Sequence, residues 1–201
     1  MVEAKNGALI GARIADDGQW RFPGTDNVPE KFEKAILTFE DRYFYYHPGI
    51  NPVAILRAAL YNIKAGRIIS GGSTITMQVS RISRGSQPRT YSEKMIEILS
   101  AVKLELFSSK KKILLMYTGN APFGGNTVGL EAAAWRYTGK SSSDLTWAEA
   151  AALAILPNSP ALVYPGRNQD ILRDRRNDLL RRLHERGYYD SLTLVLSFDE
   201  P

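Results

Sequence analysis

The chain has 201 residues, 44% of them hydrophobic and 23% charged, which is long enough to bury a full core and is the composition of an ordinary folded domain. The absence of cysteine excludes disulfides and thiolate metal sites. The formal net charge of +5 favours an anionic partner, a phospholipid surface or a pyrophosphate, but is too dispersed for a nucleic-acid footprint. No segment reaches the roughly 20 apolar residues that cross a bilayer, and the first residues lack a signal-peptide pattern.

In chain order the signals are mainly helical. Leu9 to Ile14 and Gln19 to Phe22 flank Asp16-Asp17-Gly18 and read as a short N-terminal β-hairpin, followed by a linker to about residue 25. A first helix is predicted from near Pro29, with Phe32, Ile36, Phe39 and Tyr43 at helical spacing. Asn51 as N-cap, Pro52 at the first helical position and Gly66 as terminator bound a second. A third starts after Gly71-Gly72 at the Ser73 and Thr74 hydroxyls. Thr90 and Glu93 form a capping-box pair that opens a long fourth helix towards Phe107. Ser109 opens a fifth, ending near Tyr117. Gly119 to Asn126 reads as a glycine-rich loop, with Asn126 as cap of a helix that stops at Gly139. Thr146 and Glu149 make a second capping box before an Ala-rich helix ending at Pro157. A basic helix follows from about Asn168 to Gly187, and Asp190 caps a last short one.

Three helices carry residues with chemical potential. Glu40 follows Ile36 by four residues and Phe32 by eight, so it borders the apolar face of the first helix. Desolvation there would raise its pKa and make it a better base, although Glu40-Asp41-Arg42 also reads as a solvated charge run. On the third helix Thr74, Gln78 and Arg81 share one face while Ile75, Val79 and Ile82 share the core face. Two glycines before free helix-start amides, with hydroxyls from Ser73, Thr74 and Thr76, suit a phosphate or pyrophosphate; the same pattern serves any N-capped amphipathic helix. On the fourth, Lys94 and Glu97 are three apart, the spacing of a surface ion pair, yet apolar residues on both sides suggest a central helix. Neither histidine, His47 or His184, has a partner at metal-ligand spacing, and each reads as a structural hydrogen-bonding residue.

Taken in order, these segments resemble the peptidoglycan glycosyltransferases (glycosyltransferase family 51), the glycosyltransferase domains of class A penicillin-binding proteins. Residues 40–49, EDRYFYYHPG, resemble the first family motif; residues 71–78, GGSTITMQ, the second; Lys94-Met95-Ile96-Glu97 the third; and Leu156-Pro157-Asn158-Ser159-Pro160 a late LPQxP element. Met77, Trp20-Arg21-Phe22-Pro23 and Ala121-Pro122-Phe123-Gly124-Gly125 resemble most the 1C branch. Departures are Glu93 where many members carry Arg, Gly119 in a usual Asn slot with Asn120 next to it, and Arg81 for a frequent Lys.

The resemblance implies a mainly α fold with a lysozyme-like head and a smaller membrane-facing jaw around residues 50–70, within one glycosyltransferase domain whose catalytic core covers 26–190. It implies polymerisation of a lipid-pyrophosphate-linked disaccharide by inverting transfer, at the periplasmic face of the bacterial inner membrane. A transmembrane anchor would precede this region in the full-length chain and a transpeptidase domain would follow it. Glu40 and Glu97 are the expected catalytic residues, Glu40 as general base. Asp41, Arg42, His47, Gly72, Ser73, Thr74, Thr76, Gln78, Arg81, Arg89, Lys94 and Asn120 are the expected substrate-binding set. Glu97 would orient the pyrophosphate region or hold a divalent cation, Mg or Mn, and the sequence leaves that choice open. The alternatives are a lysozyme-like glycan hydrolase with Glu40 as acid, and an inactive module that binds lipid or a partner.

Overall fold

The computed structural model describes residues 2–3, 9–11, 14–67, 71–85, 90–158 and 168–200. Most of them are helical, and the contacts divide the chain into two units. One comprises residues 1–39 and 118–201, the other residues 40–117.

The first unit begins with two short antiparallel strands, β1 (Val2–Glu3) and β2 (Leu9–Gly11). The predicted turn at Asp16-Asp17-Gly18 closes, with the Gly18 amide donating to the Ala15 carbonyl and the Ala15 amide to that of Gln19. The strands expected to flank that turn do not pair with each other. Strand β3 (Trp20–Arg21) instead runs parallel to a distant segment, β4 (Thr127–Val128), while β2 pairs with β1. A partner 107 positions away leaves no local signal, and Trp20 also packs on Trp135, its ring centroid 6.0 Å away.

Helix α1 (Glu30–Glu40) opens near Pro29 as predicted and buries Phe32, Ala35 and Ile36, with Phe32 against Phe123. Helix α6 (Leu130–Thr138) starts at Gly129 and ends at Gly139; Asn126 does not cap it. The Asn126 side chain donates to the Gly18 carbonyl and accepts from Arg136, so it ties the N-terminal turn to α6. The capping box at Thr146 and Glu149 is complete and opens α7 (Trp147–Ile155), whose alanines pack on α8 (Gln169–Glu185). Asp190 accepts from the Thr193 amide and caps α9 (Ser191–Asp199). Trp147 and Tyr189 pack at a tilt close by, and burial pushes the pKa of the Tyr189 hydroxyl up to about 12. The late LPQxP-like element is described only to Asn158.

The second unit contains α2 (Pro52–Ala65), α3 (Ile75–Ser83), α4 (Tyr91–Phe107) and most of α5 (Lys110–Asn120). Helix α2 has the predicted boundaries: the Asn51 side chain accepts from the Ala54 amide, and Gly66 closes the C-terminus. Its apolar side chains remain largely exposed, with Val53, Leu56, Leu60 and Ile63 all more than half accessible. Their spacing of three, four and three residues makes one stripe. Helices α3 and α4 pack together around Ile75, Met77, Val79 and Ala101. Thr90 caps α4 by accepting from the Glu93 amide, but the Glu93 carboxylate pairs with Arg84 instead of with the Thr90 backbone. No helix among the described residues is long and apolar enough to cross a membrane.

Candidate active site

The working residues of the second unit are gathered by the start of α3. Thr74 is its N-cap: the hydroxyl accepts from the Met77 amide at 3.1 Å and donates to the Gly49 carbonyl at 2.6 Å. Asp41, almost fully buried, accepts from the Ile75 amide at 3.0 Å. Its carboxylate therefore occupies the anion position that the helix dipole offers. Both oxygens of Asp41 also lie within 3.0 Å of His47 Nε2, and His47 is equally buried. The predicted structural role of His47 is this one. Among the carboxylate contacts with basic side chains in the described residues, Asp41–His47 is the most deeply enclosed.

Close packing makes this arrangement rigid. Gly49 sits at φ +87, and a Cβ there would lie 2.8 Å from the Ala101 carbonyl oxygen and 2.9 Å from Glu105 Cγ. Gly72 rests on α2, where a Cβ would come within 2.7 Å of the Ile55 Cα. Both glycines are needed for backbone approach.

Glu40, half-buried at the end of α1, accepts at Oε2 from Gln78 Nε2 at 2.8 Å, so the last residue of one helix is fixed by the second turn of another. Tyr117 is fully buried, and its hydroxyl has no hydrogen-bond partner among the described residues. Burial, then the charge of Glu40, push this phenol well above its ordinary range, with Arg81 acting in the opposite direction. Lys94 Nζ donates to Ser73 Oγ and to Glu97 Oε1, each at 2.7 Å, linking Glu97 through one ammonium to the rim of the site. A cleft opens between these elements, lined by Glu40, Arg42, Gly72, Ser73, Thr74 and Arg57 among others.

Most of the expected residues converge here. Glu40, Asp41, Arg42, Gly72, Ser73 and Thr74 line the cleft; Gln78 and Lys94 touch residues that do. Thr76 faces elsewhere: it is fully buried and its hydroxyl donates to Glu105 Oε1 at 2.6 Å. Two positions along a helix turn a side chain by about 200°, which carries Thr76 from the face of Thr74 and Gln78 to the packed one. Arg81 is exposed one turn beyond Gln78. Asn120 ends α5 in the other unit, and His184 lies in α8 of that unit, where its Nδ1 contacts the Tyr189 carbonyl. Arg89 lies outside the described residues. Sequence reasoning missed Arg57, the cation of α2 that lines the cleft; its signal was a charge inside an otherwise apolar run. It also missed Tyr117, Glu105 and Lys110. Among the described residues no three acidic or imidazole side chains gather to hold a metal.

The family model described as Transglycosylase matches residues 7–184. The chain belongs to the transglycosylase family. This transglycosylase domain is 41% identical over 191 residues to penicillin-binding protein 1C of Escherichia coli, covering 94% of this chain and 25% of that protein. It is 44% identical over 163 residues to penicillin-binding protein 1A of Aquifex aeolicus, covering 81% and 22%. The domain thus spans about a quarter of the length of these relatives. A crystal structure of penicillin-binding protein 1A from Haemophilus influenzae shares its fold, with a TM-score of 0.55 at 22% identity over 98% of this chain and 19% of that one.

Proposed function

We propose that this transglycosylase domain polymerises peptidoglycan strands from a lipid-pyrophosphate-linked disaccharide by inverting glycosyl transfer. The observation that carries this reading is the shared cleft: a half-buried carboxylate, Glu40, faces the same space as the hydroxyls and cations at the start of α3. The 4-hydroxyl of the acceptor attacks C1 of the donor sugar, its proton passes to Glu40, and the C1–oxygen bond to the lipid pyrophosphate breaks. Pyrophosphate leaves readily, so charge stabilisation matters more than a general acid. Lys94, Arg57 and Arg81 are suited to that task, as is Arg89 by its place in the sequence. Gln78 holds Glu40 in line, and Asp41 and His47 hold the loop between them.

Glu97 presents one carboxylate, already engaged by Lys94, which does not amount to a resident metal site. A divalent cation would arrive with the pyrophosphate and take Glu97 as a single protein ligand; no step above depends on it. The apolar stripe of α2 is assigned to the lipid surface on which the substrate is anchored. The full-length protein accordingly works at the periplasmic face of the inner membrane, alongside a transpeptidase domain.

Lipid-linked disaccharide supplied in detergent micelles tests the reading. Glycan chains should lengthen with the unaltered protein, and Glu40→Gln should lower the rate by roughly 10²–10⁴-fold. Unchanged elongation in Glu40→Gln would overturn the assignment. Release of soluble fragments from finished sacculi would favour the hydrolase instead.

A further inference from the structure

Glu105 and Lys110 lie outside the cleft and outside the motif segments quoted above, yet their bonds end on the residues that build it. Glu105 Oε1 accepts from Thr76 Oγ1 and from Lys110 Nζ, both at 2.6 Å. Lys110 Nζ also donates to the His47 carbonyl at 2.7 Å and sits 4.5 Å above the Phe44 ring. Both side chains are mostly buried. The contacts form a closed ring: Asp41 to the Ile75 amide, Ile75 to its neighbour Thr76, Thr76 to Glu105, Glu105 to Lys110, Lys110 to His47, and His47 back to Asp41. Glu40 is the residue before Asp41, and Gln78 lies two after Thr76. The two ends of the Glu40–Gln78 bond are thus each attached to the ring.

We propose that Glu105 and Lys110 are positioning residues for the transfer reaction, setting the register between the Glu40–His47 segment and α3 so that Glu40 is held in its reactive orientation. This rests on the assignment of Glu40 as the base. A buried ion pair by itself is weak grounds for stability, because desolvation offsets much of the attraction. What marks this pair is where its remaining hydrogen bonds go. Neither residue touches the cleft, so neither contributes to ground-state binding of the substrate. Small displacements of a reacting group are costly in rate, about 10²-fold for roughly 1 Å.

Glu105→Gln, Lys110→Met and the double variant are compared with the unaltered domain in the micellar elongation assay. We expect kcat to fall about tenfold or more in each single variant, with KM within about twofold, and the double variant to be no more than about twofold worse than the singles. Lys110→Arg, which can keep both bonds, should recover most of the rate. Native-state hydrogen exchange supplies a readout independent of turnover. The Ile75 amide should exchange about tenfold or more faster in the single variants, while the Leu153 amide in α7 keeps its protection. A purely stabilising role would move both amides together. Where Lys110→Met does not fold, Thr76→Val removes one link without stranding a charge and is read in the same two ways. Unchanged kcat, losses that multiply in the double variant, or Ile75 exchange that stays put in a folded variant would each overturn the inference. If the unaltered protein elongates nothing, the assigned reaction fails, and the Ile75 exchange alone decides this one.

Discussion

Replacing Asp41 with Asn isolates the charge at the centre of the site while keeping its shape. The buried carboxylate accepts from two donors, the Ile75 amide and His47 Nε2. An amide offers one oxygen and turns an NH2 towards the other donor. Losing one hydrogen bond to a charged group costs about 1.5–3 kcal/mol, and a stranded buried donor adds about 1–3 kcal/mol. Together these span about 2.5–6 kcal/mol; the loss of about 3–5 kcal/mol typical of breaking a buried pair falls within that span and is a large share of the roughly 5–15 kcal/mol that holds a typical domain. For a chain of this size it corresponds to a fall of roughly 6–20 °C in thermal midpoint, at about 2–4 °C per kcal/mol. Thermal unfolding followed by far-UV circular dichroism measures it. The exposed Asp17–Arg21 pair is the internal control, and Asp17→Asn should cost less than about 1 kcal/mol. A midpoint for Asp41→Asn within about 2 °C of the unaltered protein would show that the carboxylate is not the anchor described above.

Gly49→Ala combines positive φ with contacts under 3 Å to backbone and to Glu105, so it should destabilise by more than the roughly 1–3 kcal/mol of backbone strain alone; a urea unfolding curve within about 0.5 kcal/mol of the unaltered protein would contradict the packing. Tyr117→Phe removes a buried hydroxyl that has no partner among the described residues, and the thermal midpoint should stay level or rise. The same substitution should flatten the alkaline stability profile. The folded state keeps the Tyr117 proton above the usual pH of about 10, whereas the unfolded chain releases it there. Stability must then fall as pH rises beyond that point, by up to about 1.4 kcal/mol per pH unit for this one proton. Urea curves at several alkaline pH values measure the slope, and equal slopes in the two proteins would place the hydroxyl in water.

Helix starts were legible in the sequence because capping is a local matter. Asn51, Thr74, Thr90, Thr146 and Asp190 each accept a hydrogen bond from an amide three residues ahead. The parallel pairing of Trp20–Arg21 with Thr127–Val128 was not legible, since its partner lies far along the chain. Asn126 has the chemistry of a cap but is used as a cross-link, a choice made by tertiary contacts with Gly18 and Arg136. The site divides in the same way. Residues inside the motifs, such as Glu40, Asp41, Ser73 and Gln78, stand out by pattern. Thr76 sits in the same run, yet its hydroxyl turns inward to Glu105, which only the packing of α3 on α4 decides. Glu105 and Lys110 look in sequence like solvated charges near a helix junction; burial and the His47 carbonyl give them their place.

The contact of Gly72 with Ile55 makes α2 part of the cleft's machinery as well as its wall. With no side chain as cushion, the backbone of the α3 approach bears directly on that of α2, so any tilt or lift of α2 is transmitted without slack to Ser73 and Thr74. The helix thus carries an exposed aliphatic stripe on one side while its backbone at Ile55 bears on the residues that open α3. Under the proposed function, docking of α2 on a lipid surface would press at one end, and the spacing of the Ser73 and Thr74 hydroxyls would change at the other.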